Sequence, residues 1–328
     1  SVSAFLLNRS SDLKIYATSE LSQDAFILWL LEWANPECAT EDNALHKTAQ
    51  DFVRLLLKNK NLEIRSVECK KQENYIDVFA IVNKKYAVII EDKTNTSEHS
   101  NQLKRYSEWV LRRKKYSDLE LYCVYYKTGN ESYAKLNRLA GSYKKEFPFE
   151  HFSIITRKEV LDVLNQSTTN NAIFCDYVEH LRKIQNITLS YSSLPINKWK
   201  WEAWQGFYMA LEKELNTGDW GYVANPSGGF LGFWWNWKNI ASNPDVQIYL
   251  QFEQTKLCVK AYQKNGVKEG IKYSDQIIRL AAENSIIFTK PSKRRCGKTM
   301  TLAHVYLQMS DPIDMVDIIC HLKKVMCF

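Results

Sequence analysis

Apolar positions along the chain fall into two periods. Residues 20–34 (ELSQDAFILWLLEWA) read as a helix, closed at Asn35-Pro36, because proline disfavours helical backbone in the residue before it. A second helix is predicted over 43–58, where Ala44, Leu45, Ala49, Phe52, Val53 and Leu56 form one stripe. β-Branched and aromatic runs predict strands over 62–68, 75–82, 86–91 and 120–127, with a helix over 100–115 between the last two. A short strand over 152–155 and helices over 157–165 and 172–184 follow. Helices alternating with strands predict an α/β fold, a central mixed β-sheet flanked by helices.

After residue 190 the pattern changes. Residues 190–197 (SYSSLPIN) have the Ser, Pro and Asn content of a connector, so two domains are expected, 1–190 and 191–328. The second predicts a helix over 199–215, strands over 220–225, 229–237, 246–254 and 255–263, a helix over 275–284, a basic loop, a strand over 300–308 and a helix over 311–325. That order describes an α+β domain with an antiparallel sheet. Seven of the ten tryptophans lie beyond residue 195, and most of the run Trp234-Trp235-Asn236-Trp237 is expected in the core. Stacking on unpaired bases is the alternative use of such a run.

Bulk composition narrows the class without choosing a function. Of 328 residues, 45% are hydrophobic and 25% charged, the profile of a globular protein. The most apolar segment, 25–34, is too short to span a bilayer and carries Glu32, so no membrane partner is expected. The first residues lack a basic stretch followed by an apolar one, and no secretory leader is expected. Eight scattered cysteines without a CxxC pair argue against a zinc ribbon or a paired-cysteine iron–sulfur cluster, and fit a reducing cytoplasm. The net charge of +7 permits a polyanionic partner without requiring one.

Candidate chemistry gathers in residues 74–96, NYIDVFAIVNKKYAVIIEDKTNT. Two apolar runs flank a polar turn; the first opens on Asp77 and the second ends in Glu91-Asp92-Lys93. Alternation along a strand puts Glu91 and Lys93 on one face and Asp92 on the other. A hairpin with Ile81 opposite Ala87 sets Asp77 opposite Glu91. Facing carboxylates repel unless a cation lies between them, and hard oxygen ligands suit Mg²⁺ or Mn²⁺. A lysine beside that charge can orient or deprotonate a water and offset charge on a phosphorane-like transition state. A lone ExK is more often a solvated strand end; the apolar run before it, with Asp77 at hairpin distance, favours a site. Gln102 and Tyr106, four apart in QLKRY, share a helical face and can reach the same place.

This order of an Asp on one strand, ExK on the next and Q-x-x-x-Y on the following helix resembles the PD-(D/E)XK nuclease superfamily. It is most similar to the bacterial branch that reads roughly R-I-D, I-I-E-N-K and Q-L-x-x-Y. The likeness covers roughly residues 15–130 and includes an N-terminal Glu before a WLL helix, matched by Glu20 before LWLL. It implies a restriction-endonuclease-like core in which Asp77 and Glu91 are metal ligands and Lys93 is the catalytic lysine. Gln102 and Tyr106 match the auxiliary motif, and Glu20 the helix-borne acid that completes the metal site; Asp24 and Glu32 follow on the same helix as rivals for that role. Tyr75 stands where relatives often carry Arg, and Asp92 where they often carry Asn; neither change removes a catalytic group. The implied activity is Mg²⁺- or Mn²⁺-dependent hydrolysis of phosphodiesters, in DNA before RNA, in defence, restriction or repair. The alternative is a catalytically silent module of the same fold that grips nucleic acid or protein.

Other signals are weaker. CGKT at 296–299 lacks the first glycine of a phosphate-binding loop, Ser292 standing in its place. Lys293, Arg294 and Arg295 in the basic loop are candidate phosphate-backbone contacts, against the reading of a solvated charge run. Arg112 and Arg113 end the helix of Gln102, where they serve the helix dipole and are expected close to the proposed site. His46 is expected to be structural, and His99 a minor candidate for a substrate phosphate.

Overall fold

The computed structural model describes residues 20–70, 73–94, 101–146, 150–225, 228–267, 270–292, 297–306 and 312–327; at Glu20, Glu146 and Cys327 it describes the backbone alone. The chain divides into two compact units. One holds the described residues to Asn130 and Leu136–Asn186, the other Glu131–Lys135 and the residues from Ile187 onward.

The first stretch of chain forms α1 (Glu20–Glu32), α2 (Asn43–Leu56), β1 (Val67–Lys70), β2 (Val78–Val82), β3 (Tyr86–Lys93), α3 (Gln102–Leu111), β4 (Glu120–Lys127), α4 (Tyr133–Glu146), β5 (His151–Thr156), α5 (Arg157–Leu164) and α6 (Ala172–Leu189). The strands make one five-stranded sheet in the order β1-β2-β3-β4-β5. It is mixed: β1, β2 and β3 pair antiparallel, whereas β3, β4 and β5 pair parallel. Parallel neighbours cannot be joined by a tight turn and need a crossover. α3 and α4 are those crossovers.

Three local details depart from the sequence pattern. Residues 133–146 carry no predicted element yet form α4, with Leu136 and Tyr143 buried on one side. The predicted strand 62–68 begins only at Val67, because Arg65 and Ser66 donate their backbone N–H groups to Asn83 Oδ1, at 2.7 and 3.2 Å. Asn83 and Lys84 adopt φ of 54° and 53° in the turn between β2 and β3, the positive values that a tight hairpin asks of its two central residues. The predicted strand 75–82 likewise shortens to Val78, since Asn74 and Tyr75 take positive φ in a short turn. Asp77 therefore stands one residue ahead of the ladder.

Alternation sorts this sheet into two cores. Val78, Ala80, Val88, Ile90, Val124 and Tyr126 face α1, α2, α5 and α6. Phe79, Ile81, Ala87, Ile89, Cys123 and Tyr125 face α3 and α4. Burial on both faces is why β2 and β3 read as continuous apolar runs rather than alternating ones. β5 passes directly into α5 through a capping box, Thr156 and Glu159 satisfying each other's end of the first turn.

The second unit contains α7 (Trp201–Leu215), β6 (Asp219–Val223), β7 (Phe230–Ile240), β8 (Asn243–Glu253), β9 (Lys256–Tyr262), α8 (Gly270–Glu283), β10 (Thr299–Tyr306) and α9 (Met315–Cys327). Its sheet is antiparallel throughout, in the order β10-β9-β8-β7-β6. Phe233, Trp235, Leu250 and Phe252 on one face pack with Phe207, Ile277 and Leu322 from the three helices. The tryptophan run splits between two environments. Trp235 is fully buried, whereas Trp237 is 45% exposed, because a bulge with Asn236 at φ 57° re-aims the strand. No helix among the described residues is long and apolar enough to cross a membrane.

Candidate active site

The hairpin register fixes the two carboxylates. Ile81 pairs with Ala87 and Val78 with Ile90, so the next residues outward are Asp77 and Glu91. Asp77 Oδ2 accepts a hydrogen bond from the backbone N–H of Asp92 at 3.3 Å, which holds its carboxylate across the end of β3. Glu91 and Lys93 continue the face of Ala87 and Ile89, toward α3. Both are buried, and Lys93 Nζ forms an ion pair with Glu91 Oε1.

The electrostatics of that pocket are strained. Burial pushes the Glu91 carboxyl up to about 8, the negative charge of Asp77 pushes in the same direction, and the Lys93 ammonium only partly offsets them. Glu91 Oε2 is buried and receives no hydrogen bond among the described residues. An acceptor oxygen in that position, facing a second carboxylate, is relieved by a proton or by a cation. No group of three or more His, Cys, Asp or Glu among the described residues converges on a metal position. Asp77 and Glu91 stand there as two facing carboxylates, and Glu20, the first residue of α1, has a side chain outside the description.

α3 brings its first turns to the same place. Gln102 Nε2 donates to the Tyr106 hydroxyl at 3.4 Å. Burial raises the Tyr106 hydroxyl above its ordinary pKa, Gln102 opposes that, and the charges of Glu91 and Asp77 add to it. Tyr106 therefore feels both carboxylates. Arg112 and Arg113 are a different matter: α3 rises about 15 Å from Gln102 to Arg112, so they occupy its far end. There Arg112 pairs with Glu108 at 3.4 Å, and the Arg113 guanidinium lies 4.8 Å over the Trp109 ring. Lys293, Arg294, Arg295 and His99 fall outside the described residues. His46 Nδ1 meets the Trp33 carbonyl at 2.9 Å, a structural contact.

A family model described as PD-(D/E)XK nuclease superfamily matches residues 3–190. The chain belongs to the PD-(D/E)XK nuclease superfamily. Comparison with curated proteins and with solved structures gave no match. The mixed five-stranded sheet flanked by helices is the fold of this superfamily, whose members are phosphodiester-cleaving nucleases.

Beyond its motif residues, this PD-(D/E)XK chain supports its ExK strand from both neighbours. Asp92, the middle residue of the motif, points to the opposite face and is buried against Gln23 of α1. Gln23 also donates to Thr128 Oγ1 at 3.0 Å and accepts from the Tyr177 hydroxyl at 3.1 Å, which meets Tyr126 at 3.2 Å. On the face of Glu91 and Lys93, Lys127 of β4 is the Cα partner of Lys93, is buried, and donates to the Thr94 carbonyl at 3.1 Å. Arg157, also buried, donates to the Thr128 carbonyl and to Asn130 Oδ1 at 2.7 Å; burial pushes its guanidinium down to about 10. None of Gln23, Lys127 and Arg157 was among the sequence-predicted site residues. Lys127 did carry a signal of the same kind as Asp77: a charge closing an otherwise apolar strand, ELYCVYYK.

Proposed function

We propose that this chain is a divalent-metal-dependent deoxyribonuclease whose active centre is Asp77, Glu91 and Lys93. The observation that carries the reading is the opposition of Asp77 and Glu91 across the hairpin end, with a buried Glu91 oxygen that receives no hydrogen bond among the described residues. Asp77 and Glu91, with Glu20 as the candidate third donor, would hold Mg²⁺ or Mn²⁺, which when bound supplies positive charge to a non-bridging phosphate oxygen.

The chain's own residues do the rest. Lys93 Nζ, held in the pocket by Glu91, orients the attacking water and hydrogen-bonds the phosphate as its charge grows. Gln102 and Tyr106 present an amide and a hydroxyl from α3 that position the substrate phosphate against Lys93. DNA is preferred over RNA because the superfamily resemblance points that way. Defence, restriction and repair are the settings in which such a nuclease acts.

The test is incubation with supercoiled plasmid, circular single-stranded DNA and a long RNA, each with Mg²⁺, Mn²⁺ or EDTA. The expected result is metal-dependent cleavage of a DNA substrate. Cleavage of RNA alone overturns the substrate assignment, and cleavage of none overturns the enzyme in favour of a binding module.

A further inference from the structure

α7, α8 and α9 pack on the apolar side of the second sheet, and the other side carries polar and aromatic residues. At one end of that other side, Trp237 stacks on Tyr249 with centroids 3.9 Å apart and planes 13° from parallel. Tyr262 meets Trp237 edge-on at 6.5 Å. Tyr249 is buried beneath this stack, while Trp237 remains 45% exposed. The indole thus spends one face on the protein and presents the other to solvent.

Cations gather at the same end. Tyr262 closes β9 and is the Cα partner of Thr299, the first residue of β10. Lys264 lies two residues after Tyr262 and Lys298 immediately before Thr299; Gln263 N–H donates to the Lys298 carbonyl at 2.9 Å, so the two loops run side by side. Both lysines are exposed, and neither has an ion-pair partner among the described residues. Lys256 and Lys260, further along β9, are by contrast matched by Glu253 at 3.3 and 3.0 Å. Residues 187–328 hold 17 Lys and Arg against 12 Asp and Glu, so they carry +5 of the chain's net +7.

An indole with one open face, at the same sheet end as cations that lack carboxylate partners among the described residues, suits a base and its neighbouring phosphates. In a duplex the base faces are hidden against one another, so the strand must be unpaired. We propose that this end of the second sheet binds single-stranded nucleic acid, with Trp237 stacking on a base and Lys264 and Lys298 meeting the flanking phosphates. The site lies in the unit outside the family match and stands independently of the cleavage reading.

The experiment is fluorescence anisotropy of the full chain in EDTA, titrated with fluorescein-labelled oligothymidine of about 15 nucleotides, near the upper site size of such surfaces. Trp237→Ala is expected to weaken binding about 5- to 100-fold, the effect of losing one base stack, and Trp237→Phe to retain most of the affinity. Trp201→Ala, an exposed tryptophan elsewhere in the same unit, is expected to leave binding unchanged. Replacing Lys264 and Lys298 together by Ala should lower the slope of log affinity against log salt by about 1.4. A duplex of equal length should compete poorly, and oligouridine shows whether ribose is accepted as well. Should Trp237→Ala lose its fold by circular dichroism, the lysine salt slope decides. Absence of oligothymidine binding, or binding by folded Trp237→Ala equal to the parent, overturns the proposal. Cleavage is scored separately with metal, so a chain that binds and does not cut contradicts the nuclease reading alone.

Discussion

Glu91 is the residue on which the site turns. Its carboxyl has an ordinary value of 4.5 and is pushed up to about 8 by burial and by Asp77. A folded-state value above the unfolded one means that the folded protein binds the proton more tightly. The stability this contributes is complete below about pH 4.5 and is lost as pH rises through about 8. Metal-free protein in EDTA should therefore show a Glu91-dependent fall in melting temperature across that window. Glu91→Gln, which carries no charge to bury, should flatten this part of the profile while abolishing cleavage. An unchanged pH profile in the variant would show that Glu91 is not the strained group. Asp77, Glu91, Lys93, Gln102 and Tyr106 could be picked out in the sequence because each relation is local: a strand period, a hairpin register, a helical turn. The place of Lys127 beside Lys93, and of Arg157 against the chain just after β4, could not be, since both depend on parallel pairings that no short-range period encodes.

Between elements, the decisive contact is the one that closes β4 onto the end of β3. Gly129 follows β4, and a Cβ built there would come within 1.8 Å of the Thr94 carbonyl oxygen, just after the ExK lysine. Backbone cannot yield as a flexible side chain would, so Gly129→Ala should cost about 1–3 kcal/mol and shift the strand end that carries Lys93. Urea melts measure the first effect and cleavage rate the second; wild-type values for both would contradict the packing described. Thr156→Ala, which removes the capping box of α5, should cost about 1 kcal/mol and leave cleavage intact, because α5 packs on the opposite core. α4 shows why one crossover escaped prediction. Its buried positions, Leu136 and Tyr143, are separated by Asn137, Arg138 and Gly141 on a stretch with weak helical preference at Gly141. Its helical state is enforced by the need to return from β4 to a parallel β5.

For the whole molecule, the family match ends at residue 190, and the second unit supplies a separate antiparallel sheet with most of the tryptophans and of the net charge. A nuclease unit joined to a cationic, aromatic surface should engage DNA with a strong salt dependence that survives removal of the metal, while cleavage does not. The measurement that bears most directly on the central claim is the single-turnover rate of plasmid cleavage by the wild-type chain and by Lys93→Ala, with Mg²⁺ and with EDTA. The wild-type chain should cut with Mg²⁺ and stop in EDTA, and Lys93→Ala, still folded by circular dichroism, should be slower by about 10²-fold or more. Cleavage by folded Lys93→Ala at the wild-type rate, or cutting that persists in EDTA, would contradict the assignment of Asp77, Glu91 and Lys93 as the active centre.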